Sequence, residues 1–323
     1  MVSSGLRTRL IVLLLISSIT AYDSTQSQAK DNPRKQVSSG EYSGKLLYQG
    51  WLRTYYLHIP KSYKSDHPTP LVLVLHGSGG SGSSIANVTH FNQLADKKGF
   101  IVVYPNGINH HWSDSHSVFS PQVDDISFVT ALLDHLMKLR NIDSRRIYAT
   151  GFSNGGMLTQ TLACQLSDRI AAFASVAGTL PANLASSCKP KTPVSLLMFN
   201  GTSDRSVPYA GGKIAGVGRE VLSVYKTVQL WRHYNGCASK AKVEKLPNTI
   251  RSSGNQVEIS RYLVCSGGSE VMLVTVKGGG HSWPGASGNV KDYQGNASKI
   301  NASAAIWNFF QRHVLHIAIL NRT

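Results

Sequence analysis

Arg146-Ile147-Tyr148-Ala149-Thr150-Gly151-Phe152-Ser153-Asn154-Gly155-Gly156-Met157-Leu158-Thr159-Gln160-Thr161-Leu162-Ala163 is the stretch that decides the architecture. Its first five residues read as a short strand, its last eight have helical spacing, and between them sits a G-x-S-x-G pentapeptide. Gly and Ser are common in this chain, so chance alone yields roughly 0.3 such matches and the pentapeptide by itself decides little. The context decides more. A strand running directly into the motif and a helix running directly out hold a serine hydroxyl at the tip of a tight, strained turn, where flanking glycines avoid the clashes.

The same strand-then-helix alternation continues on either side. Leu71 to Leu75, Phe100 to Tyr104, Ala172 to Val176, Val194 to Phe199 and Val271 to Val276 are short runs, most of them nearly continuous in apolar residues. Such runs need cover on both faces, as in a parallel sheet. Between them, Ile85–Lys97, Asp124–Leu139, Gly155–Leu166 and Val221–Tyr234 have helical spacing, and a last helix runs from Ala302 to about Leu315 with Asn301 as cap. Trp51 to Ile59, closed by Pro60, reads as an edge or antiparallel strand. The pattern predicts an α/β fold with a mostly parallel central sheet and helices on both faces. No internal repeat and no Ser-, Thr- or Pro-rich linker interrupts it.

Composition sets the outer limits. Of 323 residues, 41% are hydrophobic and 15% charged, which suits a buried core and excludes a disordered or collagen-like chain. Lys plus Arg number 33 against 17 Asp plus Glu, a net +16. The positive charges are scattered, without the basic runs of nucleic-acid patches, so no nucleic-acid partner is expected. Arg7 and Arg9 precede the apolar run Leu10 to Ile16, and small residues follow up to Ala21, the layout of a signal peptide over 1–21. That run is short of the ~20 residues a membrane span needs, so no stable membrane insertion is expected. Residues 22–44 are polar and read as a disordered leader, leaving 45–323 as a single catalytic domain. The expected location is secreted, extracellular or periplasmic. Four cysteines, Cys164, Cys188, Cys237 and Cys265, would then oxidise, with three possible connectivities, of which Cys164–Cys188 and Cys237–Cys265 are the sequence-local one.

A serine hydroxyl attacks poorly until a base takes its proton, and the base needs a carboxylate to orient it. In a strand–elbow–helix arrangement the chain order is Ser, acid, His. Among the later histidines, His233, His313 and His316 fall in helix-like segments. His281 follows the strand ending at Val276 through Lys277-Gly278-Gly279-Gly280, on a loop at a strand's C-terminal end, where α/β sites are built. Among the later acids, Asp204 alone comes just after a buried strand. The oxyanion needs two preorganised donors. One is the backbone N–H of Asn154; the other comes from His76-Gly77-Ser78-Gly79-Gly80-Ser81-Gly82, with Ser78 as first choice and Gly77 and Gly79 as neighbours able to serve. Neither phosphate-loop pattern fits that segment, and no C-x-x-C or H-E-x-x-H spacing suggests zinc. No cofactor and no metal are expected.

At this point the residues resemble a known family. His76-Gly77, Tyr104-Pro105-Asn106-Gly107, Val123-Asp124-Asp125-Ile126-Ser127-Phe128, Gly151 to Gly156, Asp204-Arg205-Ser206-Val207-Pro208-Tyr209-Ala210-Gly211-Gly212 and Gly279-Gly280-His281-Ser282-Trp283-Pro284-Gly285 are similar to secreted polyhydroxybutyrate depolymerases and their feruloyl and acetylxylan esterase relatives. The resemblance runs from about residue 45 to 312. It implies an α/β-hydrolase fold, the triad Ser153, Asp204 and His281, and an ester substrate, either a polyester oligomer or an acylated polysaccharide. It favours the pairings Cys237–Cys265 and Cys164–Cys188. Many relatives carry a Cys where this chain has Ser78, which implies one disulfide fewer here. Trp112 and Trp283 are candidates to line an acyl pocket, with plain packing as the other reading. An inactive binding protein on the same fold is the rival from another class, and an intact set of triad residues argues against it. Oligomeric state and acyl specificity are not legible.

Overall fold

Apolar runs without a polar side can fold only if both faces are covered, and the computed structural model of this chain supplies that cover. It describes residues 38–113, 123–214, 217–246, 256–286 and 300–315, all within one unit, Pro33–Thr323. The expected signal peptide and the leader up to residue 37 lie outside the described residues.

Along the chain the elements are β1 (Gly40–Tyr48), β2 (Trp51–Ile59), β3 (Thr69–Leu75), α1 (Gly82–Thr89), α2 (Phe91–Lys98), β4 (Ile101–Pro105), α3 (Asp125–Leu139), β5 (Ile142–Phe152) and α4 (Asn154–Gln165). There follow β6 (Ala172–Val176), β7 (Leu196–Gly201), β8 (Gly212–Lys213), β9 (Glu220–Val221), α5 (Val224–Tyr234), β10 (Lys242–Lys245), β11 (Val257–Tyr262), β12 (Val271–Val276) and α6 (Ala302–Phe310). Ten strands form one sheet in the order β1-β2-β4-β3-β5-β6-β7-β12-β11-β10, and β8 pairs with β9 in a separate hairpin. The middle of the sheet, from β4 to β12, is parallel. Antiparallel strands flank it on both sides, and the outermost on one side, β10, is exposed along its whole length.

Side chains alternate between two cores, as the period of a strand requires. Leu71, Leu73 and Leu75 face the layer of α3, α4 and α5 with Phe128, Leu162 and Trp231, whereas Val72 and Val74 face α1, α2 and α6 with Phe91, Trp307 and Phe310. Helices therefore cover both faces.

Several boundaries differ from the sequence expectation, among them the end of the last helix, which stops at Phe310 and not near Leu315. The sheet begins at Gly40, so the last five residues assigned to the leader belong to β1. The reason is an alternation in which Tyr42, Leu46 and Tyr48 pack on the core while Glu41, Ser43, Lys45 and Leu47 face solvent. The helix expected over Ile85–Lys97 is two helices, because His90 takes a left-handed conformation (φ 53°) that caps α1 and starts α2.

Candidate active site

The site is built from loops that leave the C-terminal ends of β3, β5, β7 and β12. Ser153 sits between β5 and α4 at φ 55° and ψ −118°, a strained region for a residue with a side chain. Its backbone is held from both sides: its N–H donates to Val176 O (2.9 Å) and its carbonyl accepts from Met157 N–H (2.9 Å). The glycine after Asn154 is required by close approach. A Cβ on Gly155 would lie 2.4 Å from Leu75 O and 2.5 Å from His76 O, so α4 starts directly against the end of β3.

Asp204 and His281 come from the loops after β7 and β12, which pack so closely that Ser203 N–H donates to Gly279 O at 2.9 Å. The buried Asp204 carboxylate accepts from Ser206 N–H (2.8 Å) and Val207 N–H (2.9 Å) through Oδ1 and from His281 Nδ1–H (2.7 Å) through Oδ2. That bond fixes the tautomer and leaves Nε2 as the basic nitrogen. His281 and Ser153 line the same cavity, of about 410 Å³. No hydrogen bond joins the Ser153 hydroxyl to the His281 ring; in ligand-free hydrolases this contact is often long and tightens with substrate.

The loop after β3 supplies the opposite wall. Gly79 N–H donates to His110 O (2.9 Å) and Gly80 N–H to Gly77 O (3.0 Å), whereas no such bond occupies the N–H of Ser78, which lines the cavity. Gly79 is thereby removed from the donors considered from sequence. The N–H of Asn154 lies in the first turn of α4, where no preceding helical carbonyl can take it. Both amides belong to residues of the cavity wall.

His76 braces this loop from behind. Its ring is buried, donates from Nδ1 to Gly77 O (2.8 Å) and accepts at Nε2 from Gly107 N–H (3.0 Å), and its carbonyl accepts from the Trp112 indole (2.8 Å). Burial is the main cause that pushes its pKa down to about 4. The Asn154 side chain in turn accepts from Trp112 N–H at 2.8 Å. Ser113 N–H donates to Asp125 (2.6 Å), whose carboxylate pairs with buried Arg53. Burial raises the Asp125 pKa, with the Arg53 charge opposing it.

The two tryptophans separate here. Trp112 lines the cavity, whereas Trp283 does not: its buried indole donates to Ser303 Oγ (3.1 Å) and meets Phe91 edge-on. A lone Trp shows no periodicity from which its direction could be read. Sequence reading also missed much of the wall, namely Ile85 and Val88 of α1, Met157 of α4, and Val207, Ile214, Val217 and Arg219 after Asp204. These are mostly single apolar residues with no motif of their own. The structure joins Cys164 to Cys188 and Cys237 to Cys265.

A parallel sheet with helices on both faces, a strained serine at a strand–helix elbow and an Asp-held histidine across one cavity define the α/β-hydrolase class. The profile of the family described as "Esterase PHB depolymerase" matches residues 53–195. The protein NocK of Nocardia uniformis subsp. tsuyamanensis is 31% identical over 255 residues, which cover 75% of this chain and 74% of NocK. Feruloyl esterase B of Piromyces equi is 31% identical over 230 residues, 69% of this chain but 41% of that longer protein. Among solved structures, an acetyl xylan esterase from Aspergillus awamori superposes with a TM-score of 0.54 at 16% identity, covering 75% of this chain and 95% of that one, a likeness of fold. The chain belongs to the PHB depolymerase esterase family, and the protein is a carboxylic ester hydrolase.

Proposed function

We propose that this esterase cleaves hydroxyalkanoate oligoesters outside the cytoplasm, through an acyl-enzyme on Ser153. The observation that carries the reading is the shared cavity of Ser153 and His281, with Asp204 bonded to the far side of the imidazole. Ser153 Oγ attacks the ester carbonyl while His281 Nε2 takes its proton; Asp204 stabilises the imidazolium; the amides of Ser78 and Asn154 receive the oxyanion. His281 then returns the proton to the leaving alcohol, and water repeats the sequence to release the acid. Export is part of this reading: a signal peptide over 1–21 is removed, one catalytic domain remains, and its two disulfides suit an oxidising compartment.

A feruloyl or acetylxylan esterase acting on plant-wall polysaccharide is the second reading, favoured by the names of relatives in Piromyces equi and Neocallimastix patriciarum. Rates measured side by side on hydroxybutyrate oligomers, methyl ferulate and acetylated xylan separate the two. For the mechanism, Ser153→Ala is expected to lower hydrolysis of 4-nitrophenyl acetate by at least ~10³-fold with an unchanged circular dichroism spectrum. Retained turnover would rule out Ser153 as nucleophile.

A further inference from the structure

Both amides assigned to the oxyanion lead back to one residue outside the triad. Trp112 is buried, and its bonds reach the loop after β3 and the first residue of α4 together. Its indole N–H donates to His76 O (2.8 Å), two residues before Ser78, and its ring lies 4.7 Å from the His76 imidazole. Its own backbone is clasped by the Asn154 side chain, which accepts from Trp112 N–H (2.8 Å) and donates from Nδ2 to Trp112 O (3.3 Å).

The joint leaves little slack. A Cβ on Gly77 would lie 3.3 Å from Ser153 Cβ, so the loop after β3 abuts the turn that carries the nucleophile. The segment leading to Trp112 holds that loop at further points: Gly107 N–H donates to His76 Nε2 (3.0 Å), His110 O accepts from Gly79 N–H (2.9 Å), and His110 Nδ1 donates to Gly80 O (2.9 Å). Asn109 and His110 take left-handed conformations (φ 50° and 62°) to make this turn, a local cost that the surrounding bonds must outweigh. On its other side Trp112 is followed by Ser113, fixed by Asp125. Donors stabilise a developing charge only where they are already aimed at it. A misplacement of about 1 Å costs on the order of 10²-fold in rate.

We propose that Trp112 is a positioning residue that holds the two oxyanion donors, the amides of Ser78 and Asn154, in register with each other. The inference rests on Ser153 being the nucleophile and on those amides being the donors. It gives Asn154 two tasks: its backbone N–H receives the charge while its side chain fixes the frame.

The test uses wild type, Trp112→Phe, Asn154→Ala and Ser153→Ala with a hexyl trifluoromethyl ketone and the matching carbinol. Ser153 Oγ adds to the ketone carbon, its proton passes to His281, and the carbonyl electron pair becomes an oxyanion, as in the tetrahedral state of ester cleavage. The carbinol has a similar shape but no carbonyl to attack. The readout is the carbinol-to-ketone ratio of Ki, which a smaller fraction of folded enzyme does not move, beside kcat/KM for 4-nitrophenyl acetate. Trp112→Phe keeps a ring and loses the indole donor; Asn154→Ala loses the clasp and leaves Trp112 in place. Each is expected to lower the ratio and kcat/KM on the order of tenfold, with the carbinol Ki within about threefold of wild type. An unchanged ratio in either variant would overturn the proposal. So would a Trp112→Phe variant that weakens ketone and carbinol alike, since Trp112 would then be a plain wall of the acyl pocket. Ser153→Ala separates these failures from failure of the underlying reading: loss of turnover and of the ketone preference upholds the nucleophile, whereas retained turnover removes it and the proposal with it.

Discussion

The imidazole of His76 is kept neutral chiefly by burial, which pushes its pKa down from 6.5 to about 4; the hydrogen bond to Gly77 opposes this, and the nearby His110 and His111 add to it. Its geometry demands the same state, because a proton on Nε2 would confront the Gly107 N–H that now donates to it. Well above pH 6.5 neither the folded nor the unfolded chain protonates this group. As the pH falls toward about 4, the unfolded chain gains a proton that the folded one refuses. Stability present above the unfolded value is therefore lost across that window, by up to ~3 kcal/mol. Urea unfolding at pH 7.5 and 4.5 should show a smaller drop for His76→Gln than for wild type, and equal drops would remove His76 as the cause. Some roles at this scale were legible before any coordinates. The serine announces itself by its flanking strand and helix, and chain order then leaves few choices for acid and base. The bracing by His76 and the Asn154 side chain was not legible, because the bonds from Gly107 N–H to His76 and from Trp112 N–H to Asn154 join residues far apart in sequence. Arg219 gave no signal either, since nothing in a lone arginine tells a cavity wall from a solvated face.

Helix α3 is anchored through its first residue. Asp124 caps it by accepting from Ile126 N–H (3.1 Å) and Ser127 N–H (3.0 Å), and Asp125 turns inward to meet Arg53 of β2, whose guanidinium lies 3.7 Å over the Phe128 ring. Removing one member of a buried ion pair strands the other, at about 3–5 kcal/mol. Asp125→Ala should cost that much in chemical denaturation and also weaken ester hydrolysis, because Ser113 N–H loses its acceptor beside Trp112. Adding Arg53→Met to that variant should restore part of the stability; a double variant no better than the single one would count against the pairing. The elements themselves were uneven in legibility. Buried parallel strands such as β3 stand out because neither face tolerates a polar side chain. The alternation of β1 was hidden by a polar outer face, and the break between α1 and α2 at His90 carries no Gly or Pro to mark it.

Across the whole molecule, the two disulfides bind segments that the sheet alone leaves loosely joined. Cys164 and Cys188 are buried, tying the end of α4 to the approach to β7, while half-buried Cys237 and Cys265 link the end of α5 to the turn before β12. Each closes a span of 24 or 28 residues, a constraint worth about 3 kcal/mol on the loop-entropy account. Graded dithiothreitol with mass-spectrometric trapping should find Cys237–Cys265 opened first, and Cys237→Ser with Cys265→Ser should lower the melting temperature by several degrees. Simultaneous reduction of both would contradict this difference in access. The parallel middle of the sheet could be anticipated from the alternation of strand and helix; the antiparallel flank of β10 and β11 could not, being short, polar and half exposed. That flank has a consequence for crowded solutions. Were two copies to zip together along β10 in opposite directions, Lys242 of each would face Lys245 of the other, and these like charges repel. Static light scattering should accordingly report weaker repulsion between molecules as sodium chloride is added, and replacing both lysines by glutamine should produce the same approach without salt.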